Sequence, residues 1–345
     1  MADSHAARII AQPLNRPDSN GNVALEPLDF DDAVAISSGE YTAEFSTVGA
    51  ALRGLTFQEK DLVAPFPRGM KAPLTAGQFL APWPSRVTDG RYVHDSEAFQ
   101  LPITDEERHA ALHGFVRSFV WDVAEHTESS VIFHLDTPAQ PGYPWPIEYT
   151  VRWDLSARSG LACTFTVVNH GEARVPFAWG FHSYLIAQGA PLDETIVTLP
   201  VSTNVPLDPQ RSVPAGPVQS SDVVMPGLSS GVPMRGVWQD HTYGGVSLGA
   251  DGCVHARLTQ QEDPQTGVEL WAGSWARWLQ VFTASPEHGS GFPGLGRVLA
   301  VEPESAHGDA FRSGEDLLYV TPHDELQFTF GIRALGEGSA SHAEK

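Results

Sequence analysis

Three histidines and a late glutamate are the residues of this chain best suited to moving protons. In the stretch 109–126, HAALHGFVRSFVWDVAEH, His109 and His113 stand four apart and Gly114 follows the second. Zinc sites use such a pair on a helix. The supported motif, however, places a glutamate directly after the first histidine and adds a third ligand, and here Ala110 occupies that place. No CxxC pair completes a shell, so no metal is expected. His109 reads as a polar residue on a short turn. His113 differs, because the glycine after it allows a backbone or ligand to approach closely.

His182 lies in PFAWGFHSYLIAQG among Trp179, Phe181 and Tyr184. It reads equally as a hydrogen-bonded core histidine or as an acid–base group, and its aromatic neighbours suit the C–H faces of a pyranose. In AVEPES, Glu302 ends the apolar run VLAV, with Pro303 expected to stop strand pairing there. A carboxyl group leaving the core in this way is partly desolvated, which raises its proton affinity towards that of a useful base. The plainer reading is a strand-end charge. Glu304 has no such apolar approach and reads as a surface charge. Arg86, in LAPWPSRVTDGRYV, follows a proline-stiffened segment and offers five donors to sugar hydroxyls, or else forms a structural ion pair. Asp240, in WQDHTYGG, could accept from vicinal hydroxyls or cap a turn.

The elements that must position these groups have a period of two. In IEYTVRWDL, Ile147, Tyr149, Val151, Trp153 and Leu155 point one way and the polar residues between them the other. LACTFTVV and LQFTFGI repeat the pattern. Turn chemistry separates such runs at ARSG (157–160), NHGE (169–172), GADG (249–252) and PHDE (322–325). The best short helix candidate is ITDEERHAALHG, residues 103–114. Many antiparallel strands with few helices imply an all-β sandwich or barrel. One large domain is expected over 26–335, with the Pro/Ser/Gly-rich stretch 205–236 as a surface excursion. Loosely held polar tails are expected at 1–25 and 336–345.

Lysine and arginine total 21 against 42 acidic residues, a net charge of −21, which argues against nucleic acid and favours a neutral small molecule. The two cysteines, Cys163 and Cys253, make no disulfide framework and read as small buried hydrophobes in a reducing compartment. The N-terminus has no secretory pattern and no run is apolar enough to span a membrane, so a cytoplasmic protein is expected.

In this order, PWPSRVTDGRY, LHGFVR, PGYPWP, GFHSY, DHTY and AVEPES with AFRSGEDL resemble the aldose 1-epimerase (mutarotase) family over residues 82–316. The resemblance implies a β-supersandwich of the galactose mutarotase type and an isomerase without cofactor or metal. Its substrate would be a free neutral monosaccharide, glucose or galactose first, and the chain a monomer or homodimer. Carried onto matching positions, it makes Glu302 the base at the C1 hydroxyl and His182 the acid at the ring oxygen. His113 would hydrogen-bond the ring oxygen or a nearby hydroxyl, while Arg86 and Asp240 grip the other hydroxyls. Ser183 and Leu185 replace the Pro and Phe of the family's usual Gly-x-His-Pro-Tyr-Phe, and Ser85 replaces a frequent asparagine before the arginine. These departures bear on the shape of the sugar pocket. Weighed beside this reading are an epimerase for a pentose, deoxysugar or sugar phosphate, and a non-catalytic carbohydrate-binding protein of the same fold. A glycoside hydrolase ranks lower, since it wants two carboxylates flanking a cleft.

Overall fold

The computed structural model describes residues 8–12 and 16–336. Most of them form antiparallel sheets, and the α-helix among them is a single turn, Ala310–Ser313. The alternating stretches are strands, as expected. Ile147–Ser156, Gly160–Val168 and Glu325–Leu335 lie side by side at the centre of a nine-stranded sheet and bury the residues that the period of two picks out. Eight further strands make a second sheet, in which Asp240–Gly244, Trp278–Ala284 and Val298–Glu304 are consecutive neighbours.

The two sheets pack face to face through aromatic rings. Phe79 stacks on Phe165 at 5.2 Å between centroids, Trp179 on Phe165 at 4.8 Å, and Phe181 meets Phe330 at 4.7 Å. Trp179 and Phe181, read from sequence as a possible sugar platform, are thus fully buried in the core. Such pairs add about 1 kcal/mol each beyond the area they bury. Excursion 205–236 is stitched to both sheets. Gln219–Ser220 pairs with Thr203–Val205 on one, and Val232–Pro233 pairs with Thr195–Thr198 on the other.

Three expectations fail. Residues 103–114 form turns and the short strand Ala110–Leu112 rather than a helix, because Ala110–Leu112 pairs with Arg86–Thr88. Pro303 does not end its strand: it pairs with Leu279, and the ladder runs on to Glu304. The described part of the N-terminal stretch is tied down. Ile10 donates to Ser118, Gln12 exchanges hydrogen bonds with Arg117, and Val23 is buried. The rest of that expected tail, and residues 337–345 of the other, lie outside the described residues. Cys163 is buried as expected, whereas Cys253 is half-buried just before the strand Val254–Gln260. No described helix is long and apolar enough to cross a membrane.

Gly114 is a position where the fold requires glycine. Its φ is +62°, and a Cβ there would lie 1.9 Å from the carbonyl oxygen of Ala81, which accepts from the backbone N–H of Phe115. The close approach read from sequence is therefore one of backbone to backbone. Gly114→Ala is expected to cost at least about 2 kcal/mol, visible as a lowered chemical-denaturation midpoint. An unchanged midpoint would contradict this packing.

Candidate active site

The eight-stranded sheet turns its apolar face to the core and a polar row to the other side. Phe181, Tyr243, Leu279, Val281 and Val301 belong to the core, so their neighbours His182, Thr242, Gln280 and Glu302 face outward by the period of two. Register completes the row. Thr242 pairs with Gln280, and Gln280 with Glu302. Gly180 pairs with Glu304 and Ser183 with Val301, which sets His182 opposite Glu302. The ladder is interrupted between those two pairs, where Pro303 has no N–H to offer Phe181.

In this row His182 Nε2 lies 3.4 Å from Glu302 Oε1, with both side chains almost wholly buried. His182 is held from its other edge: its N–H donates to the Gln78 carbonyl at 3.0 Å, and its own carbonyl accepts from Gly77 at 2.8 Å. Gln280 is a member that sequence reasoning missed. Its Nε2 donates to Asp240 Oδ1 at 3.0 Å and its Oε1 accepts from the Thr242 hydroxyl at 2.5 Å, so the amide orients Asp240. The alternation around DHTY and WLQVF places it, but a lone glutamine carried no chemical signal.

The loop after Phe79–Leu80 and the segment around Gly114 supply the opposite wall. His113, at φ +58°, stands in edge-to-face contact with His182, ring centroids 5.6 Å apart. Its backbone N–H donates to the Ser85 carbonyl at 2.9 Å, and the Ser85 N–H donates to His113 Nδ1 at 3.1 Å. Nδ1 is thereby an acceptor, so the proton of the neutral ring belongs on Nε2. Arg86 donates from Nε to Asp105 at 2.8 Å, the ion pair weighed from sequence, and its charge still acts on both Glu302 and His113.

His113 and His109 do not converge. His109 is largely exposed and pairs with Asp89 at 3.1 Å, whereas His113 points to the polar row. Ligand atoms of His113, His182 and Glu302 do lie within 4.8 Å of one another, close enough to share a cation. Positive charge on the buried Arg117 and on Arg86 acts on His113 and disfavours one there. Of the departures from the family pattern, Ser183 and Leu185 face away from His182: the Ser183 hydroxyl donates to the Val301 carbonyl and Leu185 packs in the core. Ser85 alone of the three abuts the site.

Burial governs the proton affinities. It pushes His182 down to about 3, helped by the Arg117 charge, and takes His113 well below its ordinary value, helped by His182 and Arg117. Burial also raises Glu302 well above the usual glutamate range, with Glu304 and Asp240 acting in the same direction. Burial thus opposes both charges together, so the proton of the pair rests on Glu302 and the His182 ring is neutral. Glu304, expected at the surface, is fully buried, and burial pushes it up to about 8. Glu302 and Glu304 share one face of one strand. They therefore sit side by side rather than across a cleft, unlike a hydrolase pair.

Comparison with known proteins agrees with this architecture. Residues 32–332 match the family model described as aldose 1-epimerase. The chain belongs to the aldose 1-epimerase family. It is similar to the uncharacterized protein YihR of Escherichia coli strain K12, 30% identical over 300 residues, covering 87% of this chain and 92% of that protein. In fold it resembles a galactose mutarotase-like protein from Clostridium acetobutylicum (TM-score 0.77, 14% identity, covering 91% of this chain and 98% of the other). The GalM/aldose epimerase homologue from C. elegans is similar too (0.73, 18%, 89% and 100%). So is galactose 1-epimerase from Lactobacillus acidophilus NCFM (0.69, 15%, 91% and 100%). Among aldose 1-epimerases, then, this chain has the galactose mutarotase-like fold.

The raised affinity of Glu302 has a sign that can be tested. A group whose proton affinity is higher folded than unfolded stabilises the fold below its ordinary value and loses that contribution as pH rises. Glutamine does not ionise. The melting temperature of Glu302→Gln relative to wild type is therefore expected to climb between about pH 5 and 8. A difference independent of pH would contradict a buried, protonated Glu302.

Proposed function

We propose that this protein interconverts the α and β anomers of a free, neutral aldose, a hexose first, by acid–base ring opening and closure. The observation that carries the reading is the meeting of the buried His182 and Glu302 with the half-buried His113, all far apart in sequence, in one cluster with Asp240 and Arg86 close by.

Opening the ring requires loss of the C1-hydroxyl proton and gain of a proton by O5; rotation about C1–C2 and closure then give the other anomer. Glu302 takes the first proton and His182 gives the second. The working pair, carboxylate and imidazolium, holds the same single proton as the neutral pair that burial favours. One transfer from Glu302 to His182 connects the two. Hydrogen bonds from the C1 hydroxyl and the charge of Arg86 favour the carboxylate and offset the cost of charging a buried site. His113 presents Nε2–H to the ring oxygen or a neighbouring hydroxyl. Asp240, oriented by Gln280, accepts from another hydroxyl. Closure runs the same transfers backwards, so each turnover restores the pair.

A binding protein of this fold would not need an acid and a base in contact. A sugar phosphate would call for several cationic groups at the site, whereas Arg117 is buried against Gln12 and the Leu112 carbonyl and Arg86, whose Nε is held by Asp105, is a single charge. A neutral aldose fits better.

The test is exchange of α-glucose and α-galactose, followed by polarimetry or NMR, with a pentose panel beside them. Glu302→Gln and His182→Asn are each expected to lower kcat by about 10²-fold or more with smaller effects on KM. A wild-type protein no faster than buffer on every sugar would refute the activity. Variants at full rate would refute the assignment.

A further inference from the structure

Glu304 has no part in the proton transfers above, yet it is as deeply buried as Glu302. Room is made for it. A Cβ on Gly180, its cross-strand partner, would lie 3.0 Å from Glu304 Cγ and from the Pro303 carbonyl oxygen. Glu304 Oε1 accepts from the Ser85 hydroxyl at 3.0 Å, while Oε2 is buried without a partner. Ser85 is the residue that clips His113, donating its N–H to Nδ1 and accepting from the His113 N–H at its carbonyl. Both clipped residues have left-handed backbone, Ser85 at φ +51° and His113 at φ +58°. For residues with side chains that conformation is strained, so it persists only where neighbours enforce it. Arg86 follows at once and opens the strand paired with Ala110–Leu112.

We propose that Glu304 is a positioning residue, whose buried carboxyl group pins Ser85 so that the loop holds His113 in its Nε2–H form and presents Arg86 to the sugar. The proposal rests on the reading of His113 as a donor to the sugar. Ser85 stands where the family commonly has asparagine, and its single hydroxyl hydrogen is the one that Glu304 takes. Burial keeps Glu304 largely protonated at neutral pH, so the pin adds little negative charge beside Glu302. Positioning therefore needs the acceptor oxygen and not a charge.

Glutamine keeps that oxygen and alanine removes it, which gives the test. At pH 7, Glu304→Ala and Ser85→Ala are each expected to lower kcat/KM for the preferred aldose by about ten-fold or more. The double variant should be no worse than the poorer single one, and Glu304→Gln should recover to within about three-fold of wild type. The second readout needs no turnover. Long-range ¹⁵N–¹H spectra should show His113 as the Nε2–H tautomer in wild type and Glu304→Gln, and as a mixture with Nδ1–H in Glu304→Ala and Ser85→Ala. An alanine variant with wild-type rate and tautomer overturns the proposal, and so does a glutamine variant as impaired as alanine. If the tautomer shifts as expected in a protein inactive on every aldose, the pin stands and the mutarotase reading falls.

Discussion

Two charges of opposite sign in a buried site attract strongly, yet each loses its hydration, and for His182 and Glu302 that loss decides where the proton rests. At 3.4 Å the imidazole and the carboxyl group stand side by side, and burial favours the neutral arrangement. In the proposed reaction such a pair needs one proton in total and would deliver it to either side of the sugar ring. Much of the surrounding structure keeps the pair buried and aligned.

Alignment comes from the sheet itself. Neighbouring antiparallel strands place His182, Glu302, Gln280 and Thr242 in one transverse row, so spacing follows from strand separation rather than from loop conformation. The core beneath is aromatic and tightly interlocked, which leaves the row little freedom to shift. Loops complete the site only where the row lacks donors. There the chain accepts left-handed backbone at Ser85 and His113 and a glycine at 114 against a carbonyl. Strain of this sort is tolerated because hydrogen bonds between the two loops enforce it.

The period of two made the strands and their buried faces legible, and with them the all-β class. Glu302, read at the end of the apolar run VLAV, lies on the strand Val298–Glu304, while His182 stands between the short strands Gly180–Phe181 and Ser183–Leu185. The His109–His113 spacing was misleading as a helix signal, because pairing of Ala110–Leu112 with Arg86–Thr88 overrode local preference. Glu304 was read as a surface charge because no residue near it in sequence announces its partner; Ser85 lies 219 positions away. Gln280 was illegible for the same reason, as its role exists only through strands that meet in the fold.

The most direct measurement of the central claim is the ¹⁵N chemical shift of the His182 ring nitrogens, followed from about pH 7 down to pH 5. A neutral imidazole throughout, with Glu302 carrying the proton, is the predicted result. An imidazolium at the upper end of that range, or one titrating near the ordinary histidine value, would contradict the account of a buried one-proton pair.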